Sequence, residues 1–248
     1  MTEDKPRTAM ILAAGLGTRL KPLTDSMPKA LVPYRGTPMI QRLMLRLREA
    51  GFTRAVINVH HFADMLEDFV RSHDGFGLDV AFSDERDLLR DTGGGIRHAV
   101  MSGLLGEGPV LVHNVDIIAS GIDLQALYPQ GSTDTDAGNH DAATLLVSSR
   151  TSSRYLLTDS TGLLRGWTYP GKGLFKGTTP EAAEALQPHA FSGIHVLTPA
   201  ALELLRSWPE VFSIIDFYLE ISPSHPVRCI QAPAGAVITD IGKPGQLR

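Results

Sequence analysis

The sequence is short of cysteine, of net charge and of long apolar runs, and each shortage removes a class of protein. One cysteine in 248 residues, Cys229, cannot form an intramolecular disulfide and supplies none of the multi-cysteine zinc or redox frameworks. A reducing, cytoplasmic compartment fits that count. Lys+Arg 23 against Asp+Glu 27 leaves a formal charge of −4, so no global positive field exists to gather nucleic acid or an anionic membrane surface. A bound polyphosphate has to be held by local groups. The polar N-terminus MTEDKPRT and the brief apolar stretch 9–14 make neither a signal sequence nor a membrane span. Hydrophobic residues at 43% and charged residues at 20% are the balance of a globular chain with enough apolar side chains for a sizeable core.

Glycine is plentiful, 24 residues, and it falls in clusters that follow apolar runs. Met10-Ile11-Leu12-Ala13-Ala14 is such a run, the pattern of a parallel strand buried on both faces. Thr37-Pro38 supplies a cap and a first-turn proline for a helix in which Met39, Ile40, Leu43, Met44, Leu47 and Ala50 recur at helical spacing, ended by Gly51. Strands at 54–59, 78–82 and 110–113 alternate with helices at 63–72 and 94–105. That alternation predicts a Rossmann-like three-layer α/β/α sandwich with a mainly parallel mixed sheet. The polar segment 131–141 and short strands at 143–148, 155–158 and 163–169 predict a small β-rich insertion at about 130–190, with 171–184 as a surface excursion. A strand at 191–197, a helix at 199–207 and closing strands at 227–231 and 236–239 complete the reading. With no internal repeat and no linker, residues 1–248 read as one domain carrying that lobe.

The densest chemical signal is LAAGLGTRLKPLTDSMPKALVP, residues 12–33. Gly15 and Gly17 after a buried strand allow a tight turn whose amides face a phosphate with no Cβ in the way. Leu20 stands where a dinucleotide fingerprint needs its third glycine, and a Walker A loop needs G-K-[ST], so both familiar readings fail. What remains is G-x-G-x-R with Lys29 twelve residues after Gly17, a forked cation and a point cation beside a glycine turn, which suits a triphosphate. Asp116 and Asp240 each follow an apolar strand. Carboxylates at strand ends point into the crevice where open α/β sheets bind ligands, so three parallel strands ending on one edge would bring the glycine turn and two hard oxygen ligands for Mg²⁺ together. Asp91-Thr92-Gly93-Gly94-Gly95, ahead of a helix starting near Ile96, offers uncapped amides.

The 12–33 segment resembles the signature of the sugar 1-phosphate nucleotidyltransferases. LRDTGGGIRHA, LVHNVDI, FSGIHVL and ITDIGKPGQL look most like the short bacterial members, such as the N-acetylmuramate 1-phosphate uridylyltransferases and mannose 1-phosphate guanylyltransferases. No C-terminal β-helix of the longer members is expected. The resemblance implies a nucleoside triphosphate and a sugar 1-phosphate as partners, UTP and an N-acetylmuramate-like sugar favoured, in a monomer or homodimer that binds neither nucleic acid nor membrane. Mannose 1-phosphate with GTP, a phosphocholine-type acceptor with CTP, and a nucleotide-sensing homologue without turnover are the alternatives. It gives the nucleotide to Leu12, Ala13, Ala14, Gly15, Gly17, Thr18, Arg19, Gly93 and Gly94, with base choice near 12–14 and 85–89. Asn114 and Gly193 face the sugar, Asp116 and Asp240 hold Mg²⁺, and Arg19, Lys29 and Asp116 carry catalysis. One departure is Val115, where the family commonly has glycine before the metal aspartate; its side chain bears on sugar identity. His60-His61 point to opposite faces and read as a turn, 213–219 as an amphipathic core helix, and Trp167 and Trp208 as packing residues.

Overall fold

The structure, a computed structural model, describes residues 6–128 and 141–242, so the expected polar run at 131–141 lies, but for Asp141, outside the described residues. A parallel strand covered on both faces needs apolar side chains on both. Thr8–Leu12 supplies them: Ala9 and Ile11 enter one core cluster and Met10 the other. Arg54–Val59 and Val110–Asn114 flank it, both parallel, and Asp79–Asp84 lies parallel beyond Arg54–Val59. The chain therefore leaves its first strand toward one edge and later returns to the other. The register sets Leu12 beside Asn58 on one side and Asn114 on the other, at the carboxyl ends where such a reversal opens a crevice.

Helices cover both faces. Met39–Glu49 presses Met39, Ile40, Leu43, Met44 and Leu47 onto one face, where Ala63–Ser72 adds Leu66 and Val70. Asp91–Met101, Pro199–Leu205 and Ile214–Ile221 cover the other, with Trp208 packed against Phe212 and Phe217. Each fully buried Leu or Ile contributes ~1.5–3 kcal/mol, so the two clusters account for the layering. Gln187–Leu197 joins the sheet antiparallel to Val110–Asn114. Through it the sheet continues to Tyr155–Thr158, Leu164–Tyr169 and Leu174–Lys176, while Ala143–Ser148 pairs with both Gln187–Leu197 and Val227–Gln231. The expected β-rich region is thus an extension of the central sheet. Its surface excursion includes an edge strand, Leu174–Lys176, and a short helix, Pro180–Ala183.

Three local expectations are corrected. Thr37–Pro38 is a short strand paired with Pro33–Tyr34, and the helix begins at Met39 with no side-chain cap. The helix expected at 94–105 runs Asp91–Met101, so all three glycines lie inside it. Val237–Asp240 is not a further parallel strand of the central sheet; it forms a separate antiparallel ribbon with Ile117–Ser120. Among the described residues no helix is long and apolar enough to cross a membrane.

Candidate active site

Beyond Leu12 the backbone leaves the sheet, and the amides of Ala13 and Ala14 lose their ladder partners. Both turn to Asn58 Oδ1, at 2.6 and 3.2 Å. The loop then passes through Gly17, whose φ of +62° is left-handed; a Cβ there would meet Thr24 Cγ2 at 2.8 Å. The Gly17 carbonyl accepts from Leu20 N at 2.8 Å and Thr24 Oγ1 at 2.9 Å, which fixes the turn that carries Arg19. Gly15 has open space at its Cβ position. Among the described residues none accepts from the amides of Gly15, Leu16, Gly17 or Thr18, leaving those donors to a ligand.

A crevice of about 400 Å³ opens where the strands end, with Leu12 to Gly15 on one wall and Asn114 to Asp116 on the other. Lys29 enters it and pairs with Asp116 Oδ2; their side chains are 13% and 12% exposed. Asp240 reaches the same place although its strand is in another sheet, because Ile241 N donates to the Asp116 carbonyl at 3.0 Å. A Cβ built on Gly242 would lie 2.8 Å from Arg19 Nη2, 2.9 Å from Asp116 Oδ2 and 2.9 Å from Asp240 Oδ1. Arg19, Asp116 and Asp240 thus meet around one glycine, and Lys29 joins them through Asp116. Among the described residues no three of His, Cys, Asp and Glu gather closely enough to hold a metal ion, and the carboxylates at this end of the crevice are Asp116 and Asp240.

Of the two sugar-facing candidates, Gly193 has a φ of +73°, and a Cβ on it would lie 2.7 Å from Asn114 Nδ2 and 3.2 Å from Ile117 Cγ1. The two expected sugar residues therefore touch. The glycine-rich run is placed differently from its expectation. Gly93 and Gly94 amides both donate to the Phe212 carbonyl, at 3.0 and 3.2 Å, so they are not uncapped. A Cβ on Gly93 would strike Phe212 Cε2 at 2.3 Å, and one on Gly94 the Glu210 carbonyl oxygen at 2.1 Å. These glycines permit close packing, and it is Asp91 and Thr92 that line the crevice. Val115 is buried in the core cluster and its amide donates to the Leu12 carbonyl. His60 Nδ1 meets the Glu85 carbonyl at 2.7 Å and the His61 ring packs tilted against Phe62, a turn as expected. Burial pushes the Cys229 thiol up to about 12, so no thiolate nucleophile is available.

A family profile described as Nucleotidyl transferase matches residues 8–155. The chain belongs to the nucleotidyl transferase family. Within it, the chain is 35% identical over 248 residues to the N-acetylmuramate alpha-1-phosphate uridylyltransferase of Caulobacter vibrioides, covering 93% of this chain and 90% of that one. It is 41% identical over 125 residues to the enzyme of the same name from Neisseria meningitidis, covering 50% and 53%. Among solved structures, HddC of Yersinia pseudotuberculosis complexed with GMP-PN superposes with a TM-score of 0.71 over 97% of this chain and 96% of that one, at 22% identity, a likeness of fold. Sequence reading did not single out Asn58 or Gly242, which belong to this candidate site; a lone Asn inside a strand and a glycine after Asp240-Ile241 carry no local pattern.

Proposed function

We propose that the protein joins UTP to N-acetylmuramate 1-phosphate, giving the UDP-sugar and pyrophosphate. The observation that carries this reading is the convergence of Arg19, Lys29, Asp116 and Asp240 at the end of a crevice whose loop amides are free. The near full-length likeness to the Caulobacter enzyme supports the choice of substrates. An oxygen of the sugar phosphate forms a bond to the α-phosphorus as the bond to the bridging α–β oxygen breaks, and pyrophosphate leaves with the electron pair. The attacking phosphate is already anionic, so no general base is needed and catalysis is positioning plus charge neutralisation. Arg19 and the amides of Gly15 to Thr18 hold the departing pyrophosphate; Lys29 neutralises charge between the α-phosphate and the incoming phosphate. Asn114, backed by Gly193, faces the sugar, and Leu12 to Ala14 face the base. Gly93 and Gly94 act through packing that sets Asp91 and Thr92 on the crevice wall.

The donor set fits magnesium, which takes one or two carboxylates and completes its shell with water and phosphate oxygens. Asp116 and Asp240 would hold it, and bound there it would supply charge neutralisation for the phosphates. One domain, with the strands between Ala143 and Leu197 on the sugar side, and a cytoplasmic location complete the proposal. Pyrophosphate release is the test, with UTP, GTP, CTP, dTTP and ATP each paired with N-acetylmuramate, mannose and glucose 1-phosphates and with phosphocholine. Release confined to UTP with N-acetylmuramate 1-phosphate is expected. Release with GTP and mannose 1-phosphate, or with CTP and phosphocholine, overturns the substrate assignment. Nucleotide-dependent thermal stabilisation without any release supports sensing without turnover.

A further inference from the structure

The loop that carries the phosphate-binding amides is held at its root by a chain of side-chain hydrogen bonds running from Asn58 to Glu85. Asn58 is 3% exposed and Glu85 is fully buried. Asn58 Oδ1 accepts from both Ala13 and Ala14 amides, which leaves its Nδ2 to donate, and Glu85 Oε1 accepts it at 2.8 Å. Glu85 Oε2 accepts from Arg90 N at 3.2 Å. The orientation of the Asn amide is therefore determined: two backbone donors face its oxygen and an acceptor-only carboxylate faces its nitrogen. The helix Asp91–Met101 closes over this pair at Gly95, where a Cβ would lie 2.7 Å from Glu85 Oε1 and 2.9 Å from Asn58 Nδ2. Both residues also reach the crevice wall.

We propose that Asn58, oriented by Glu85, is a positioning residue: it latches the Ala13 and Ala14 amides so that the next four amides, Gly15 to Thr18, are presented together to the nucleotide phosphates. The proposal rests on the nucleotidyl-transfer reading and deepens it. A loop whose first two amides were unlatched would sample conformations in which the remaining donors diverge, and ordering it would be charged to nucleotide binding. The charged and titratable groups around Glu85 are Arg90 and His98, with the His60 ring on its carbonyl.

The test is a polarity exchange. Asn58→Asp keeps the shape and the acceptor oxygen but sets two carboxylates against each other, so one has to hold a proton. The expected result is a nucleotide KM raised on the order of tenfold, a sugar-phosphate KM little changed, and activity that falls as pH rises and the shared proton is lost. Asn58→Asp combined with Glu85→Gln restores complementarity, because the amide introduced at 85 donates to the carboxylate at 58 and its oxygen accepts from Arg90 N. The double variant is expected to recover nucleotide KM and the wild-type pH profile. Recovery of thermal stability without recovery of nucleotide KM means a structural role only and overturns the proposal. Hydrogen exchange on the wild-type protein decides it without any variant: amides 13 and 14 are expected to exchange slowly and 15–18 quickly until nucleotide is added. Fast exchange at 13 and 14 refutes the latch. Absence of pyrophosphate release from the wild type with every substrate pair would refute the functional reading instead, and the exchange pattern would still test the latch.

Discussion

Replacing Lys29 by methionine keeps the length of the side chain and removes its charge, and the site geometry makes the consequences separable. Lys29 pairs with Asp116 in the free protein, and Arg19 Nη2 and Asp240 Oδ1 border the same space. Loss of one preorganised charged group from a reacting centre costs about 3 kcal/mol in the transition state, or roughly a hundredfold in kcat. The stability effect is smaller. Removing one partner of a fully buried pair costs ~3–5 kcal/mol. Here the Asp116 side chain keeps 12% of its exposure and has the Arg19 guanidinium close by, so about 1–2 kcal/mol is expected. For a chain of this size that lowers Tm by roughly 2–8 °C. Metal affinity should move the other way: with its ammonium gone, Asp116 is open to a divalent cation, and Mn²⁺ binding to the free protein, read by electron paramagnetic resonance, should tighten several-fold. Steady-state kinetics, a melting curve and a Mn²⁺ titration on one preparation give all three numbers. A Lys29→Met protein with wild-type kcat refutes the catalytic assignment. Lost activity with unaltered Mn²⁺ affinity refutes the competition between lysine and cation for Asp116.

Three glycines in the same region should respond to alanine by very different amounts. Gly15→Ala meets open space and should leave stability within about 0.5 kcal/mol, whereas Gly94→Ala drives a Cβ against a backbone carbonyl and should cost at least about 3 kcal/mol; Gly17→Ala, at a positive φ, falls between, at ~1–2 kcal/mol. Urea unfolding of the three variants checks the ranking. Asp240→Asn keeps an oxygen for the Gly242 amide, which Asp240 Oδ1 accepts at 2.9 Å, but removes the charge proposed to hold the metal. The Mg²⁺ concentration for half-maximal rate should rise about tenfold or more while stability shifts by less than about 0.5 kcal/mol. Acid should destabilise the fold through His113, which burial, opposed in part by its bond to the Asn114 carbonyl and reinforced by Arg46, lowers to about 4. The unfolded chain takes up that proton near pH 6.5 and the folded one does not, so the stability is present above pH 6.5 and is lost as pH falls toward 4, on the order of 3 kcal/mol. His113→Leu should make that limb of a stability–pH curve shallower, with His195, which burial lowers to about 3, supplying what remains; an unchanged limb means His113 does not contribute.

Local pattern revealed most of the elements that depend on local pattern. Arg54–Val59, Ala63–Ser72, Ala143–Ser148, Tyr155–Thr158 and Val227–Gln231 have the bounds that periodicity alone sets. The reading failed where tertiary packing outweighed propensity. Three successive glycines disfavour a helix by about 1 kcal/mol each, yet Asp91–Met101 includes them because only glycine lets that helix approach Glu210, Phe212, Glu85 and Asn58 so closely. Val237–Asp240 looked like another member of the parallel sheet, since a strand's partner is not written in its own residues; Ile117–Ser120, hidden in the continuation of an apolar run, is what pairs with it.

The site divides along the same line. Arg19 and Lys29 announce themselves in one contiguous segment, but Lys29 and Asp116 are 87 positions apart and meet only because the sheet register sets Leu12 beside Asn114. Asp240 arrives by a different route, through a ribbon that leans on the Asp116 carbonyl. The aspartates could be nominated from sequence as residues ending strands, while their convergence required knowing which strands are neighbours. Asn58 could not be nominated, because its role consists of two backbone amides 44 and 45 residues away and a carboxylate 27 residues on. A residue that acts on the ligand by its own charge leaves a trace in composition, whereas one that acts by holding another segment's backbone leaves none until the contact is seen. For that reason the test with most power over the whole reading is the exchange of polarity between positions 58 and 85. It alters no group assigned to the phosphates, the metal or the sugar, and hydrogen exchange at amides 13–18 separates an effect carried by the loop from one exerted at the base-side wall that Asn58 and Glu85 line.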